Sequence, residues 1–195
     1  MKYYIFGGNG FVGRYLANDL LRKGKKVVVC DLQEVIHPMI DEKSCEYEQV
    51  NIQQIEDLER LQIAAEDILI NLAANQYHTK VPCNRKYYFY SVNVEGTRNI
   101  LKVAYDRGCR KYLMFTTDMI YGKPQYLPVD IRHPQNPFGP YGQSKKEAEE
   151  ICKAYRLKGM NITIMRPRMI NGPGRLGILV KLFKLIDMNL PVPTI

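Results

Sequence analysis

No run of this 195-residue sequence approaches the ~20 apolar residues that a membrane helix needs. A membrane-spanning helix is therefore not expected. The opening "MKYYIFGGNG" lacks the basic, apolar and small-residue order of a secretory signal, and enters a strand-like run and then glycines. There is no C-x-x-C. The five cysteines, Cys30, Cys45, Cys83, Cys109 and Cys152, are odd in number and far apart. That argues against a disulfide frame or a zinc site and for free thiols in a reducing compartment. A cytoplasmic protein without a bound metal is the expectation. Internal repeats and low-complexity segments are also missing.

A long basic run is absent too. The net charge is +8, and a basic surface attracts phosphates. Yet the densest groups are "RKGKK" at 22–26 and "SKK" at 144–146. These read as solvated helix ends, so no nucleic-acid partner is expected, and anionic small ligands fit the charge more easily.

What is present is ordinary in amount, 46% hydrophobic and 25% charged, and informative in order. The length suits one domain, or one domain and part of another. Strand-like apolar runs fall at 2–6, 25–31, 46–50, 67–74, 110–117 and 161–167. Helical patterns fall at 11–23, 55–61, 90–108, 141–159 and 176–186. Such alternation, with continuously apolar strands, predicts a parallel sheet covered on both faces, a doubly wound α/β (Rossmann) fold. The loop from Tyr121 to Pro140 carries five prolines, at 124, 128, 134, 137 and 140. Its length predicts that it borders a site.

The first strand runs into "IFGGNGFVG", in which Gly7, Gly10 and Gly13 form G-x-x-G-x-x-G. The first glycine permits a tight turn. The second lets backbone approach a pyrophosphate, and the third lets helix and strand pack closely. The helix N-terminus adds N–H donors and positive potential. Asp31 ends the second strand, 18 residues after Gly13. A carboxylate there accepts from both ribose hydroxyls and repels a 2′-phosphate, which favours NAD over NADP.

From here the chain resembles the extended short-chain dehydrogenase/reductase family, in its NAD-dependent epimerase/dehydratase branch. The matching pieces occur in order: "GGNGFVG", "CD" at 30–31, "NLAA" at 71–74, "NVEGT" at 93–97, "TTDMIYG" at 116–122, "YGQSK" at 141–145 and "RP…NGPG" at 166–174. The resemblance implies that Gly7, Gly10, Phe11, Val12 and Gly13 line the pyrophosphate of NAD and that Asp31 holds the adenosine ribose. It implies Asn51 and Ile52 at the adenine, where the family usually has Asp plus an aliphatic residue. It implies Leu72, Ala73 and Ala74 along the nicotinamide ribose, and Asn93 near the cofactor.

With 14 tyrosines, about one Y-x-x-x-K is expected by chance. Tyr141–Lys145 is the single instance, and it falls where the family has its catalytic pair. On a helix these side chains share a face, and the ammonium stabilises a phenolate for proton exchange near neutral pH. The resemblance also gives Lys145 a hold on the nicotinamide ribose and makes Thr117 the residue that orients the reacting oxygen. A competing local pattern exists. Ser144-x-x-Glu147 reads as a capping box that would leave Tyr141 outside the helix, whereas Pro140 as first helical residue keeps it inside.

Three departures narrow the expectation. Met119 stands where sugar-nucleotide dehydratases of the family carry Glu. Met169 stands where many nucleotide-sugar enzymes have Asn. The chain also stops short of the family's C-terminal substrate domain. It reads as a piece of a longer protein, with an NAD-binding and catalytic domain over 1–170 and the start of a substrate-binding domain over 171–195. The expected activity is an NAD-dependent sugar or nucleotide-sugar epimerase. A hydroxysteroid-type or other alcohol dehydrogenase is the alternative enzyme, and a non-catalytic NAD sensor the alternative of another class. A small-molecule substrate is expected, with His78 and Lys80 as candidate loop contacts. The resemblance allows a homodimer formed through the two long helices.

Overall fold

The computed structural model describes residues 1–76, 83–175 and 179–191; His78 and Lys80 lie outside them. Six strands form one parallel sheet: β1 (Lys2–Phe6), β2 (Lys26–Asp31), β3 (Glu46–Gln49), β4 (Ile68–Asn71), β5 (Lys111–Phe115) and β6 (Asn161–Met165), in the order β3-β2-β1-β4-β5-β6. The helices are α1 (Phe11–Arg22), α2 (Ile55–Arg60), α3 (Arg85–Tyr90), α4 (Thr97–Asp106), α5 (Gly139–Leu157) and α6 (Leu179–Asp187). The doubly wound Rossmann arrangement is the one the alternation predicted.

Successive strand residues point to opposite faces, and both faces are apolar in the centre of the sheet. Tyr4, Phe6, Val28, Cys30, Leu69, Tyr112 and Met114 join Leu58 of α2, Leu101 of α4 and Cys152 of α5 in the larger core. Ile5, Val27 and Val29 pack with Ala17 of α1 in the smaller one. Covering is less complete at the β6 edge, where Thr163 and Met165 remain exposed. The predicted two-sided burial therefore holds for β1 and β2 but not for β6 among the described residues.

Two element limits differ most from the sequence reading. β4 stops at Asn71, because the Asn71 side chain accepts a hydrogen bond from Ala73 N (3.1 Å) and turns the chain. The helix predicted from residue 90 begins at Arg85, with the Asn84 side chain accepting from Tyr87 N at 3.1 Å as its cap. One π-type turn, Ser91–Gly96, joins α3 to α4. Such turns are frequent at functional sites, and Asn93 within it is wholly buried.

The strand order reverses between β1 and β4. In open parallel sheets the crevice beyond the strand ends at this switch point is where ligands bind.

Candidate active site

A cleft of about 710 Å³ opens at that point. Its floor is the glycine turn. Gly7 has φ +77°, and its N–H donates to Cys30 O at 2.8 Å. A Cβ on Gly7 would lie 2.7 Å from Ala73 N, and one on Gly13 would lie 2.5 Å from Gly8 O. Backbone thus fills the space where side chains would stand. α1 starts immediately after Gly10, and no side chain caps its first N–H groups, which leaves them for an anion. The turn fits a pyrophosphate. Asp31 sits at the rim; its carboxylate accepts from Asn9 N at 2.9 Å, which pins the turn to the end of β2.

Gly7, Gly10, Phe11, Val12, Gly13 and Asp31 all line the cleft, as do Asn51, Ile52, Leu72, Ala73 and Ala74. The Asn51 side-chain oxygen accepts from Gln53 N at 3.1 Å, so one of its lone pairs is already engaged. Asn93 does not line the cleft. It stands behind the wall, exchanging hydrogen bonds with the Asn75 backbone (2.9 and 3.2 Å) and donating to Ser144 Oγ at 3.0 Å.

The opposite wall comes from β5 and α5. α5 begins at Gly139 with Pro140 in its first turn and extended Phe138 as its cap. Ser144 is inside the helix, its hydroxyl donating to Tyr141 O at 2.7 Å. The capping-box alternative is therefore overturned: the helix starts too early for Ser144 to cap it. Tyr141 and Lys145 lie one turn apart, both buried, and line the cleft together with Thr117. The Tyr141 ring meets Phe89 edge-on at 5.6 Å. Lys145 Nζ donates to Phe115 O at 3.3 Å. Burial depresses the Lys145 ammonium to about 8, opposed by Cys152 and by Glu149. Thr117 Oγ1 accepts from Met119 N at 3.2 Å. Residues 122–138 do not line the cleft. Pro137 packs on Gly142, and Lys146 Nζ donates to Gln135 O at 2.9 Å, so the proline-rich loop covers the start of α5 instead.

The model of the family described as "NAD dependent epimerase/dehydratase family" matches residues 3–184. The chain belongs to this family. Its cofactor class is NAD. An uncharacterized protein, y4nG of Sinorhizobium fredii, is 30% identical over 98% of the chain and 46% of its own length. The N-acetyl-alpha-D-glucosaminyl-diphospho-ditrans,octacis-undecaprenol 4-epimerase of Escherichia coli O157:H7 is 29% identical over 93% of the chain and 53% of its own length. Among solved structures, the Thermus thermophilus UDP-glucose 4-epimerase in complex with NAD has a TM-score of 0.79 and 25% identity. That match covers 98% of this chain and 64% of the other. The chain spans about half the length of the curated relatives it matches.

Several residues in or beneath this family member's cleft were not foreseen. Asn71 is buried and donates to Tyr112 OH at 2.9 Å and to Thr97 Oγ1 at 3.3 Å. Asn9 donates to Gln33, Val35 and Tyr47 and accepts from His37 N. Gln76, Tyr88, Val92 and Arg175 line the cleft. Their partners are far away in sequence, and the asparagines of "NLAAN" were the available signal. No helix among the described residues is long and apolar enough to cross a membrane.

Proposed function

We propose that the chain forms the cofactor-binding and catalytic part of an NAD-dependent epimerase acting on a secondary alcohol of a sugar or nucleotide sugar. The observation that carries this reading is the burial of Tyr141 and Lys145, one turn apart on α5, in a cleft whose floor is the glycine turn. Relatives named for UDP-glucose and for a diphosphate-linked N-acetylglucosamine support a sugar diphosphate as substrate. In this reading residues 1–170 hold the cofactor, and residues 171–195 begin the substrate-binding part. Exposed apolar side chains on α6, Val180, Phe183 and Ile186, fit a surface that meets further protein or substrate.

Gly7, Gly10, Phe11, Val12 and Gly13 hold the pyrophosphate, Asp31 the adenosine ribose, and Asn51 and Ile52 the adenine. Leu72, Ala73 and Ala74 run along the nicotinamide ribose. The cofactor chemistry supplied by bound NAD would be hydride acceptance from the substrate carbon, and return of that hydride to the opposite face would separate epimerisation from release of a ketone. Tyr141 takes the hydroxyl proton on its phenolic oxygen and later gives it back. The Lys145 ammonium stabilises the phenolate, and its remaining N–H groups suit ribose hydroxyls. Thr117 Oγ1 fixes the reacting oxygen beside Tyr141. Asn93 holds the Asn75 loop and Ser144 in place from behind.

One observation favours a second reading. Met169, in the cleft lining, stands where many nucleotide-sugar enzymes of the family have Asn, and Met119, also in the lining, stands where the family's dehydratases have Glu. A more apolar substrate, handled by a hydroxysteroid-type alcohol dehydrogenase, fits them. The native protein, incubated with UDP-, GDP- and dTDP-sugars and with sterols, separates the readings. Inverted product without accumulating NADH is expected. Stoichiometric NADH and a free ketone would transfer the assignment to a dehydrogenase. NAD binding without turnover on the whole panel would leave the sensor reading.

A further inference from the structure

β6 stands at the sheet edge, with β5 and β4 between it and β1. At about 4.8 Å per strand, their carboxyl ends are roughly 14 Å apart. The chain leaving β6 nevertheless returns to the first turn of α1. Gly172 and Arg175 pair backbone to backbone (3.0 and 2.9 Å) and close a tight turn. The Tyr15 hydroxyl of α1 donates to Pro173 O at 2.8 Å. A Cβ on Gly172 would lie 3.1 Å from the Phe11 ring. The turn is a strap laid across the cleft and fastened to α1.

Arg175 stands at the end of this strap. Its guanidinium carbon is 5.8 Å from the centre of the Phe11 ring. Its Nη2 donates to Gln76 Oε1, in the loop after β4, at 3.2 Å. Arg175, Phe11 and Gln76 all line the cleft, so one side chain stands where the loops after β1, β4 and β6 meet.

The other cations among the described lining residues are placed elsewhere. Lys145 is buried under α5 and reaches Phe115. The Arg168 side chain is 90% exposed and lies 3.6 Å from Asp118. Arg14, in the first turn of α1, engages His37 at 2.8 Å and does not line the cleft. A dinucleotide brings two negative charges to the glycine turn, and a helix N-terminus offers about half a positive charge.

We infer that Arg175, although it lies in the segment that begins the substrate-binding part, is a pyrophosphate-binding residue that reaches over Phe11 to the cofactor's diphosphate from a strap that crosses the cleft. The inference rests on the NAD site proposed above. A charge-assisted bond to a phosphate oxygen is about twice as strong as one to a neutral acceptor such as Gln76.

The test compares wild type, Arg175→Gln and Arg175→Lys in titrations with NAD, ADP-ribose and adenosine at low and high salt. Arg175→Gln is expected to weaken NAD and ADP-ribose about ten- to a hundredfold, to leave adenosine unchanged, and to flatten the salt dependence. Arg175→Lys should recover part of the loss. Tyr15→Phe loosens the strap without removing charge and should keep NAD affinity within about twofold. Equal NAD affinity in wild type and Arg175→Gln overturns the inference. So does an equal loss in Tyr15→Phe, which would make the strap's fastening the cause. A higher KM for a nucleotide sugar with unchanged NAD affinity would also overturn it, by assigning Arg175 to the substrate. Wild type that binds no NAD would defeat the cofactor site itself, a result distinct from all of these.

Discussion

Glu149 and Arg166 form a bidentate ion pair in which the carboxylate is wholly buried. Arg166 Nη2 donates to Oε2 at 2.6 Å and Nε to Oε1 at 2.9 Å. Thr116 Oγ1 donates to the same carboxylate at 2.7 Å, and Arg166 Nη1 donates to Tyr121 OH at 2.8 Å. The pair fastens α5 to the ends of β5 and β6, one helical turn beyond Lys145. These bonds hold the guanidinium above its ordinary value, the Glu149 hydrogen bonds contributing most.

Glu149→Gln removes the buried charge and leaves the partly exposed Arg166 guanidinium without its counter-ion. Breaking such a pair destabilises by about 3–5 kcal/mol, which in a chain of this size lowers Tm by roughly 10 °C. Urea and thermal denaturation measure it. A loss below about 1 kcal/mol would mean the pair is not closed as described.

Lys145 is expected to show an opposite trade. Its folded value of about 8 lies below the ordinary 10.5 because burial disfavours the charge. The folded state therefore binds fewer protons than the unfolded state between these values. The burial penalty is complete below about pH 8 and is relieved as pH rises through 10.5. Lys145→Met should stabilise the protein at pH 7 by up to about 3 kcal/mol, and by less at pH 9.5, while removing turnover. Urea melts of both proteins at the two pH values give the difference. An identical difference at both would mean that Lys145 titrates normally.

Tyr141→Phe keeps the ring that packs on Phe89 and deletes the phenolic oxygen. Turnover should fall about 10²- to 10⁴-fold, with NAD affinity changed little. Steady-state rates beside an NAD titration separate the two effects. Turnover within tenfold of wild type would exclude Tyr141 as the acid and base.

Asp31 decides between cofactors if its carboxylate faces the adenosine ribose. A 2′-phosphate placed beside it meets like charge, and Asp31→Ala removes that repulsion. NADP affinity relative to NAD should rise tenfold or more. Stability should drop by about 1 kcal/mol as Asn9 N loses its acceptor. Competitive titration of the two cofactors reads the ratio. An unchanged ratio would place the ribose elsewhere.

The parts of this molecule written in local spacing were legible in the sequence. The glycine triplet between a strand and a helix, Asp31 at a strand end, and Tyr141 four residues before Lys145 all line the same cleft. The parts held by long-range partners were not. Nothing near Glu149 announces Arg166, and nothing near Arg175 announces Phe11 or Gln76. The start of α3 was missed because "RKYYFY" is aromatic on every side and shows no helical stripe. Its signal was Asn84, which caps it. The proline-rich loop was expected at the site by its length, yet its contacts with α5 draw it away.

Two glycines separate backbone freedom from close approach. Gly24 has φ +68° and nothing within 4 Å of where a Cβ would stand. Gly24→Ala therefore meets only the left-handed backbone penalty, about 1–2 kcal/mol, and leaves NAD affinity unchanged. On Gly13 a Cβ would press on Gly8 O at 2.5 Å and Gly7 O at 2.6 Å, both backbone atoms. The turn or α1 must shift to admit it, and either movement withdraws the N–H groups proposed to hold the pyrophosphate. Gly13→Ala should destabilise by about 1–3 kcal/mol and weaken NAD binding more than tenfold. Denaturation curves and NAD titrations of both variants test the contrast. Equal NAD affinity in the two would show that the glycine turn does not cradle the cofactor.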